Sequence, residues 1–518
     1  GYTTPGVAGE HHVRVRVNGT EVGEGRWTGS VPYEFRATFG QNILRDGENT
    51  VEVEGVLDTG APYSVFYVDA LEVEYGRRYR AEDDELEVRG ETNRVVTVKG
   101  FSNSGVNVLE ITDAKKISVV TGTRVEAAEG AWQVSWVPSS GTAKYVAYTA
   151  EAVKTPAELV AVVPTTLTRT QNEGQYVVIA PRELMEAAQE LAEYRAGQGY
   201  VTKVVDVEAI YDAFNDGIAS PWAIREFIRY AYGSWAVGPE YVVLIGEGSY
   251  DYKNYLGNGD CVMPPKMVGT PDGLFESDTW YGDVENEDGV PEVAVGRLPV
   301  MTAEELRGLI GKIAAYESAS GDWTRRVMLV ADNADEAGEF PEDSDRMGML
   351  VPGEYLKERI YLGDWTIGDA RVAILNGINA GALLFNYIGH GALDRLAQEG
   401  LLKTTDVAGL SNGEKQPVVL AFTCVAGRYG VPGFDCLGEL LLLKEGGGAA
   451  AVWAPSGLSM NTQAMVLDEG FMQSRFTDGE RVVGAAVLSA LEDYGASGND
   501  KYMLRIYNLL GDPALHVK

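Results

Sequence analysis

"QYVVIAPRELMEAAQELAEYRAGQGYVTKVVDV", residues 175–207, changes its periodicity twice. Tyr176–Pro181 is a continuous apolar run, the pattern of a strand buried on both faces. Leu184, Ala187, Ala188 and Leu191 then recur at helical spacing, with Gly197 as a stop signal, and "VTKVVDV" is a second strand. Strand, helix, strand in this order is the repeating unit of a parallel α/β sheet.

The same grammar continues to the C-terminus. "YVVLIG", "EVAVGR", "RVMLVAD", "ALLFNYI", "PVVLAFT" and "AAAVWA" are further buried-strand candidates, most of them separated by helical segments. Ser220 before Pro221 marks one helix start, and Thr302 with Glu305 forms a capping box before another. The length fits two side-by-side α/β units, residues 171–322 and 323–518, split near Gly321–Arg325.

Residues 1–170 read as all β. "HHVRVRVNGTEV" alternates apolar and polar residues and turns at Asn18-Gly19; "NTVEVEGVL", "YSVFYVDALEVEY", "NRVVTVKGF" and "AWQVSWVP" repeat the period of two. The pattern is that of a β-sandwich, in one or two lobes with the break near residue 80. The polar stretch 166–175, "TLTRTQNEGQ", reads as a linker to the α/β part, open to proteolysis at Arg169.

Composition narrows the function. Forty-three basic against 76 acidic residues give a net charge of −33, which argues against nucleic acid or an anionic membrane surface as partner. No apolar run approaches the roughly 18–20 residues of a membrane-spanning helix. A chain of 518 residues with three cysteines has no disulfide framework, and the start without Met or leader reads as a mature or trimmed form.

Two strand ends carry reactive groups. "ALLFNYIGHG" ends on His390, the only one of four histidines away from the chain ends, between Gly389 and Gly391. "QPVVLAFTCVAG" ends on Cys424, 34 residues later, with room for one helix between. Adjacent parallel strands would bring thiol and imidazole to one edge, where sites form in open α/β sheets. There the thiolate can serve as nucleophile and the imidazolium as acid, with the backbone N–H groups of Gly391 and Cys424 as oxyanion donors. The competing readings are a core cysteine, a structural histidine, or a Cys424–Cys436 disulfide that abolishes the nucleophile; Cys261 and Cys436 read as structural.

The HExxH, CxxC, GxSxG and GxxxxGK[ST] templates are absent. "LIGEGSYDYKN" reads as a tight turn. "DTWYGDVENEDGVPE" gathers Asp278, Asp283, Glu285, Glu287, Asp288 and Glu292. It is either a solvated acidic loop or a structural calcium site, with Asp283, Glu285, Glu287 and Asp288 as ligands.

The ordered set "YVVIAP", "YVVLIGEGSYDYKN", "SDTWYGD", "PEVAVGRLPV", "NYIGHGA", "AFTCVAG", "LGELLLLKEGGGAAAVWAPSG" and "YNLLGDPAL" resembles the gingipain-like cysteine peptidases, which share the caspase-type catalytic core. The resemblance covers about Tyr176 to Lys518 and implies a two-part α/β catalytic domain, with His390 as base and acid and Cys424 as nucleophile. It also implies a carboxylate that orients the histidine, at Glu292 just before "VGRLP". The β region is similar to the family's N-terminal domains, some inhibitory and some permanently attached; "FYVDALEVEYGRRY" looks closer to the attached kind of the type IX secretion signal peptidases. The immunoglobulin-like and sorting domains that often follow do not appear after "GDPALHVK".

Together these readings lead to a secreted, bacterial-type cysteine endopeptidase acting on proteins or peptides, after Arg or Lys, with no cofactor needed for the chemistry. The alternatives are a catalytically silent binding or assembly protein that recognises partners through its β-sandwich, and a peptidase that transfers its acyl group to an amine.

Overall fold

The computed structural model describes every residue except 1, 2, 5, 91–93, 158–160 and 163. It contains two compact units, Thr3–Ala161 and Val162–Lys518.

In the N-terminal unit, His11–Val17 pairs antiparallel with Thr20–Trp27 and with Val51–Gly55. The first hairpin turns at Asn18 and Gly19, both at positive φ, as a tight two-residue hairpin requires. Beyond residue 80, two antiparallel sheets of four and three strands share one core built on Val98, Phe101, Val134, Trp136 and Tyr145. Residues 63–75, which alternation marks for a strand, form none. Tyr67, Val68, Leu71 and Tyr75 are exposed, so this stretch has the period of a strand without a surface to bury it.

The second unit is built on one ten-stranded sheet. Its strands are β1 (Tyr176–Ala180), β2 (Thr202–Asp206), β3 (Tyr241–Ile245), β4 (Ala294–Leu298), β5 (Arg326–Ala331), β6 (Leu356–Tyr361), β7 (Leu384–Ile388), β8 (Val418–Phe422), β9 (Ala451–Pro455) and β10 (Tyr507–Leu510). Their order is β2-β1-β3-β4-β10-β9-β8-β7-β5-β6. The expected helix after β1 is Met185–Gly197, and Ser220 and Thr302 cap the helices Pro221–Ser234 and Ala303–Ser318.

The two halves of the sheet are each parallel but run in opposite directions. The join is β10, which pairs parallel with β4 and antiparallel with β9. A single apolar cluster continues beneath both halves, from Tyr176 and Val243 through Leu510 and Val452 to Tyr387 and Ala421. The two α/β units expected from sequence therefore form one body with a shared core, and Asp322–Arg325 is a short 3-10 connection between its halves.

The polar stretch read as a linker is exposed along much of its length but fastened by hydrogen bonds. Leu167 is buried, Trp235 Nε1 donates to its carbonyl at 2.9 Å, and Asn172 Nδ2 donates to the carbonyls of Thr166 and Arg169.

Candidate active site

In the second half of the sheet the chain passes from β5 outward to β6, then returns across β5 to lay down β7, β8 and β9. The strand order reverses between β5 and β7. In an open α/β sheet the carboxyl ends at such a reversal leave a crevice, because the following connections leave toward opposite sides.

Three neighbouring strands end there in register. Ala331 pairs with Ile388, and Ile388 with Phe422. One or two residues further on, these strands present Asp332, His390 and Cys424, on strands about 4.8 Å apart. The register thus brings His390 and Cys424 to adjacent strand tips.

Both glycines around His390 have a packing reason. Gly389 has φ +152°, and a Cβ there would collide with Asp332 Cβ and lie 2.7 Å from the Tyr387 hydroxyl. A Cβ on Gly391 would collide with Thr423 Oγ1 and lie 2.9 Å from the Cys424 carbonyl oxygen. Any side chain at 391 would push the histidine tip away from the cysteine tip.

The imidazole is held by a carboxylate absent from the sequence expectations. Nε2 of His390 is 2.8 Å from Asp335 Oδ2, and the ring stands edge-on to Phe340. Asp335 also accepts from Ala337 N–H at 2.8 Å; this bond and the histidine bond hold its carboxyl below the usual carboxylate range. Asp332 accepts the His390 backbone N–H, while Tyr387 Oη donates to the His390 carbonyl. Backbone and ring are therefore both fixed from β5 and β7.

Glu292, the carboxylate implied by the resemblance, is not brought to His390. It stands before β4, and β10, β9 and β8 lie between β4 and β7. Its Oε2 accepts the backbone N–H groups of Val284 (2.8 Å) and Glu285 (3.0 Å), so it closes a turn. Asp335 occupies the place facing the imidazole.

All three cysteines are free, which excludes the Cys424–Cys436 bridge. Cys436 is buried at a helix N-cap, and Cys261 donates to the Ser249 carbonyl. Cys424 is half-buried, and its Sγ accepts Ser459 N–H at 3.5 Å. Burial pushes its thiol up and the Ser459 bond pulls it down, while the Asp272 carboxylate adds to the rise. The hydrogen bonds of the Cys424 thiol are to Ser459 and that of the imidazole is to Asp335; thiol and imidazole make none to each other.

Directly after the sulfur, Val425 adopts φ +45°, a β-branched residue in the left-handed region. That conformation costs about 1–3 kcal/mol and persists only where surrounding contacts impose it. Here Val425 N–H bonds Gly457 O and Gly427 N–H bonds Pro455 O, tying the turn to the end of β9.

The loop beyond is anchored by a buried ion pair that unites two of the quoted motifs. Arg297 of "VGRLP" donates to both oxygens of Asp278 in "SDTWYGD" (2.6 and 2.8 Å) and to the carbonyls of Gly246 and Met263. Its guanidinium lies 4.6 Å from the Tyr429 ring centroid. Asp278, counted with the acidic loop in sequence, is thus a buried partner for arginine. Glu276 is also fully buried, with Arg428 Nε at 3.8 Å.

The expected calcium ligands do not converge. Among the described residues no three His, Cys, Asp or Glu side chains gather around a point that could hold a metal ion. Asp283 and Glu287 face the Arg225 guanidinium at 3.6 and 3.5 Å, and Asp288 accepts Val290 N–H. A guanidinium already supplies the positive charge that a cation would bring.

A profile of peptidase family C25 matches residues 169–518. Gingipain R2 of Porphyromonas gingivalis is 24% identical over 371 residues, which is 67% of this chain and 46% of that protein. Lys-gingipain of the same organism is 23% identical over 248 residues, 47% of this chain and 12% of its own length. The chain thus spans less than half the length of these curated relatives. The crystal structure of the Arg-specific cysteine proteinase gingipain R superposes with a TM-score of 0.57 at 21% identity, covering 67% of this chain and 78% of that one. At that identity the likeness is one of fold.

Proposed function

Because this chain belongs to peptidase family C25, we propose that it is a cysteine endopeptidase with Cys424 as nucleophile and His390 as general base and acid. What supports the reading is the register of three neighbouring strands, with Asp335, His390 and Cys424 following β5, β7 and β8. Nε2 of the imidazole is taken up by Asp335, so Nδ1 is the nitrogen that receives the thiol proton.

Sγ of Cys424 attacks the scissile carbonyl carbon, and the carbonyl π electrons move onto oxygen. The backbone N–H groups of Gly391 and Cys424 donate to that oxyanion. As the C–N bond breaks, the imidazolium returns its proton to the departing amine, leaving a thioester on Cys424. The freed imidazole then takes a proton from water, the hydroxide adds to the thioester carbonyl, and the thiolate leaves. Asp335 keeps the ring in one orientation and stabilises the imidazolium in both halves of the cycle.

Cleavage after Arg or Lys is the specificity proposed. The relatives named above are Arg-specific and Lys-gingipains, and the Asp272 carboxylate acts on the Cys424 thiol. A cationic side chain landing near Asp272 would offset its charge and ease ionisation of the sulfur. The proposed place of action is outside the cell, in an aqueous phase suited to a net charge of −33. Among the described residues no helix is long and apolar enough to cross a membrane.

The test is hydrolysis of Arg- and Lys-containing peptides by wild type, Cys424→Ala and His390→Ala. Nucleophile and base act as a unit, so either change should remove nearly all turnover. Equal rates in the three proteins would refute the assignment.

A further inference from the structure

Away from the reactive thiol, a cavity of about 320 Å³ opens between the strand Lys266–Thr270, the helix Tyr502–Ile506 and the start of the helix Pro221–Ser234. Three cations line it, Arg225, Lys266 and Arg505, together with the carboxylates of Asp283 and Glu287. Arg225 is satisfied, since it donates to the Asp283 carbonyl and faces the Asp283 and Glu287 carboxylates. Lys266 and Arg505 are different. Among the described residues neither has an ion pair or a side-chain hydrogen bond, and Arg505 Nε is buried without a partner. In a chain with 76 acidic residues against 43 basic ones, two neighbouring cations left without a carboxylate are conspicuous.

The rest of the wall is aromatic. Trp222 and Trp280 meet edge to face at 4.7 Å, and Lys266 Nζ lies 4.8 and 5.4 Å from their ring centroids. Trp222 is 52% exposed, offering a flat surface to whatever enters. Burial, then the charges of Arg225 and Arg505, lower the Lys266 ammonium. Asp283 and Glu287 offset Arg225 on one side of the cavity. This leaves the positive charges of Lys266 and Arg505 in a partly desolvated space without a carboxylate, and an incoming anion would balance them.

We propose that this cavity is a subsite for an acidic side chain of the polypeptide substrate, with its carboxylate between Lys266 and Arg505 and its methylene stem against Trp222. The substrate, as opposed to a free small anion, is indicated by continuity with the reactive thiol. The hairpin that begins at Lys266 turns at Asp272, which acts on the Cys424 thiol, and the helix that carries Arg505 begins at Tyr502, whose phenol feels the Asp272 and Cys424 charges. Four residues of extended strand, about 13 Å, separate Lys266 from the hairpin turn. An extended substrate spans that distance in about four residues. The inference rests on the peptidase reading for the identity of its ligand.

The experiment uses peptides built on one cleaved sequence, with Glu or Gln at each of the third to sixth positions on either side of the scissile bond. At one position Glu should raise kcat/KM about tenfold over Gln, through KM. Lys266→Gln and Arg505→Gln should each bring that ratio toward one, and Lys266→Glu should invert it for a peptide carrying Lys there. Binding of the same peptides to Cys424→Ala, followed by tryptophan fluorescence, separates recognition from turnover. Glu-dependent binding without any cleavage by wild type would overturn the peptidase reading and sustain the subsite. Cleavage with a Glu/Gln ratio of one at every position, in wild type and Lys266→Gln alike, would overturn the subsite.

Discussion

Asp335 Oδ2 meets Nε2 of His390 at 2.8 Å from the strand on the side of β7 opposite Cys424. Imidazole and facing carboxylate therefore come from neighbouring strands of one half-sheet, whereas Glu292 belongs to the other half and caps a turn. The two carboxylates can be told apart by exchange. Asp335→Asn should lower kcat by about 10²-fold or more, with a displaced pH–rate profile, because the ring loses the negative charge that fixes its tautomer and stabilises the imidazolium. Glu292→Gln should act mainly on thermal stability, since it weakens the bonds to Val284 and Glu285. A kcat loss in Glu292→Gln as large as in Asp335→Asn would reverse the assignment.

The Cys424 thiol is raised by burial and further by Asp272. Removing that negative charge should make the thiolate easier to form. The pH dependence of iodoacetamide alkylation should shift to lower pH in Asp272→Asn, while selectivity for Arg or Lys peptides over uncharged ones falls. A peptide-based electrophile should label Cys424 ahead of the buried Cys436. Absence of selective labelling at Cys424 would favour the silent binding protein over the peptidase.

Local chemistry was legible in the sequence and strand order was not. His390 and Cys424 each follow a largely apolar run, and glycines flank the histidine, so their place at strand tips follows from residue pattern alone. "RVMLVAD" ends in the same way on Asp332, and the imidazole's partner lies three residues beyond, in a polar loop whose path no periodicity describes. The carboxylate suggested by the resemblance failed to reach the ring because buried strands look alike in sequence. Nothing in "EVAVGR" or "YNLLGDPAL" says that β10 will insert between β4 and β9 and carry the first half-sheet away from His390. That inserted strand also joins the two half-sheets, and its Leu510 lies in the core they share.

Limited proteolysis should cut where the backbone is unsupported. Residues 166–175 are held by Trp235, Tyr230 and Asn172 side chains, so Arg169 is exposed but poorly able to enter a protease cleft. Residues 153–157 are exposed and lie outside any helix or strand. Trypsin should therefore cleave after Lys154 before it cleaves after Arg169. N-terminal sequencing of the large fragment reads the outcome, and a first product beginning at Thr170 would contradict the pinned segment.

Burial lifts Glu276 from 4.5 to about 7, against the pull of Arg428, and neither carboxylate oxygen has a hydrogen bond. The folded chain therefore keeps this proton to a higher pH than the unfolded chain does. Between about pH 4.5 and 7 the unfolded state releases it first, so stability falls as pH rises through that window and levels off above it. Glu276→Gln has no proton to lose. Relative to wild type it should gain little at pH 4 and the most at pH 8, with a ceiling of about 3 kcal/mol for a shift of this size. Denaturant unfolding of both proteins at the two pH values measures the difference directly. An equal difference at pH 4 and pH 8 would mean that Glu276 holds its charge in the folded protein, with Arg428 as a full partner.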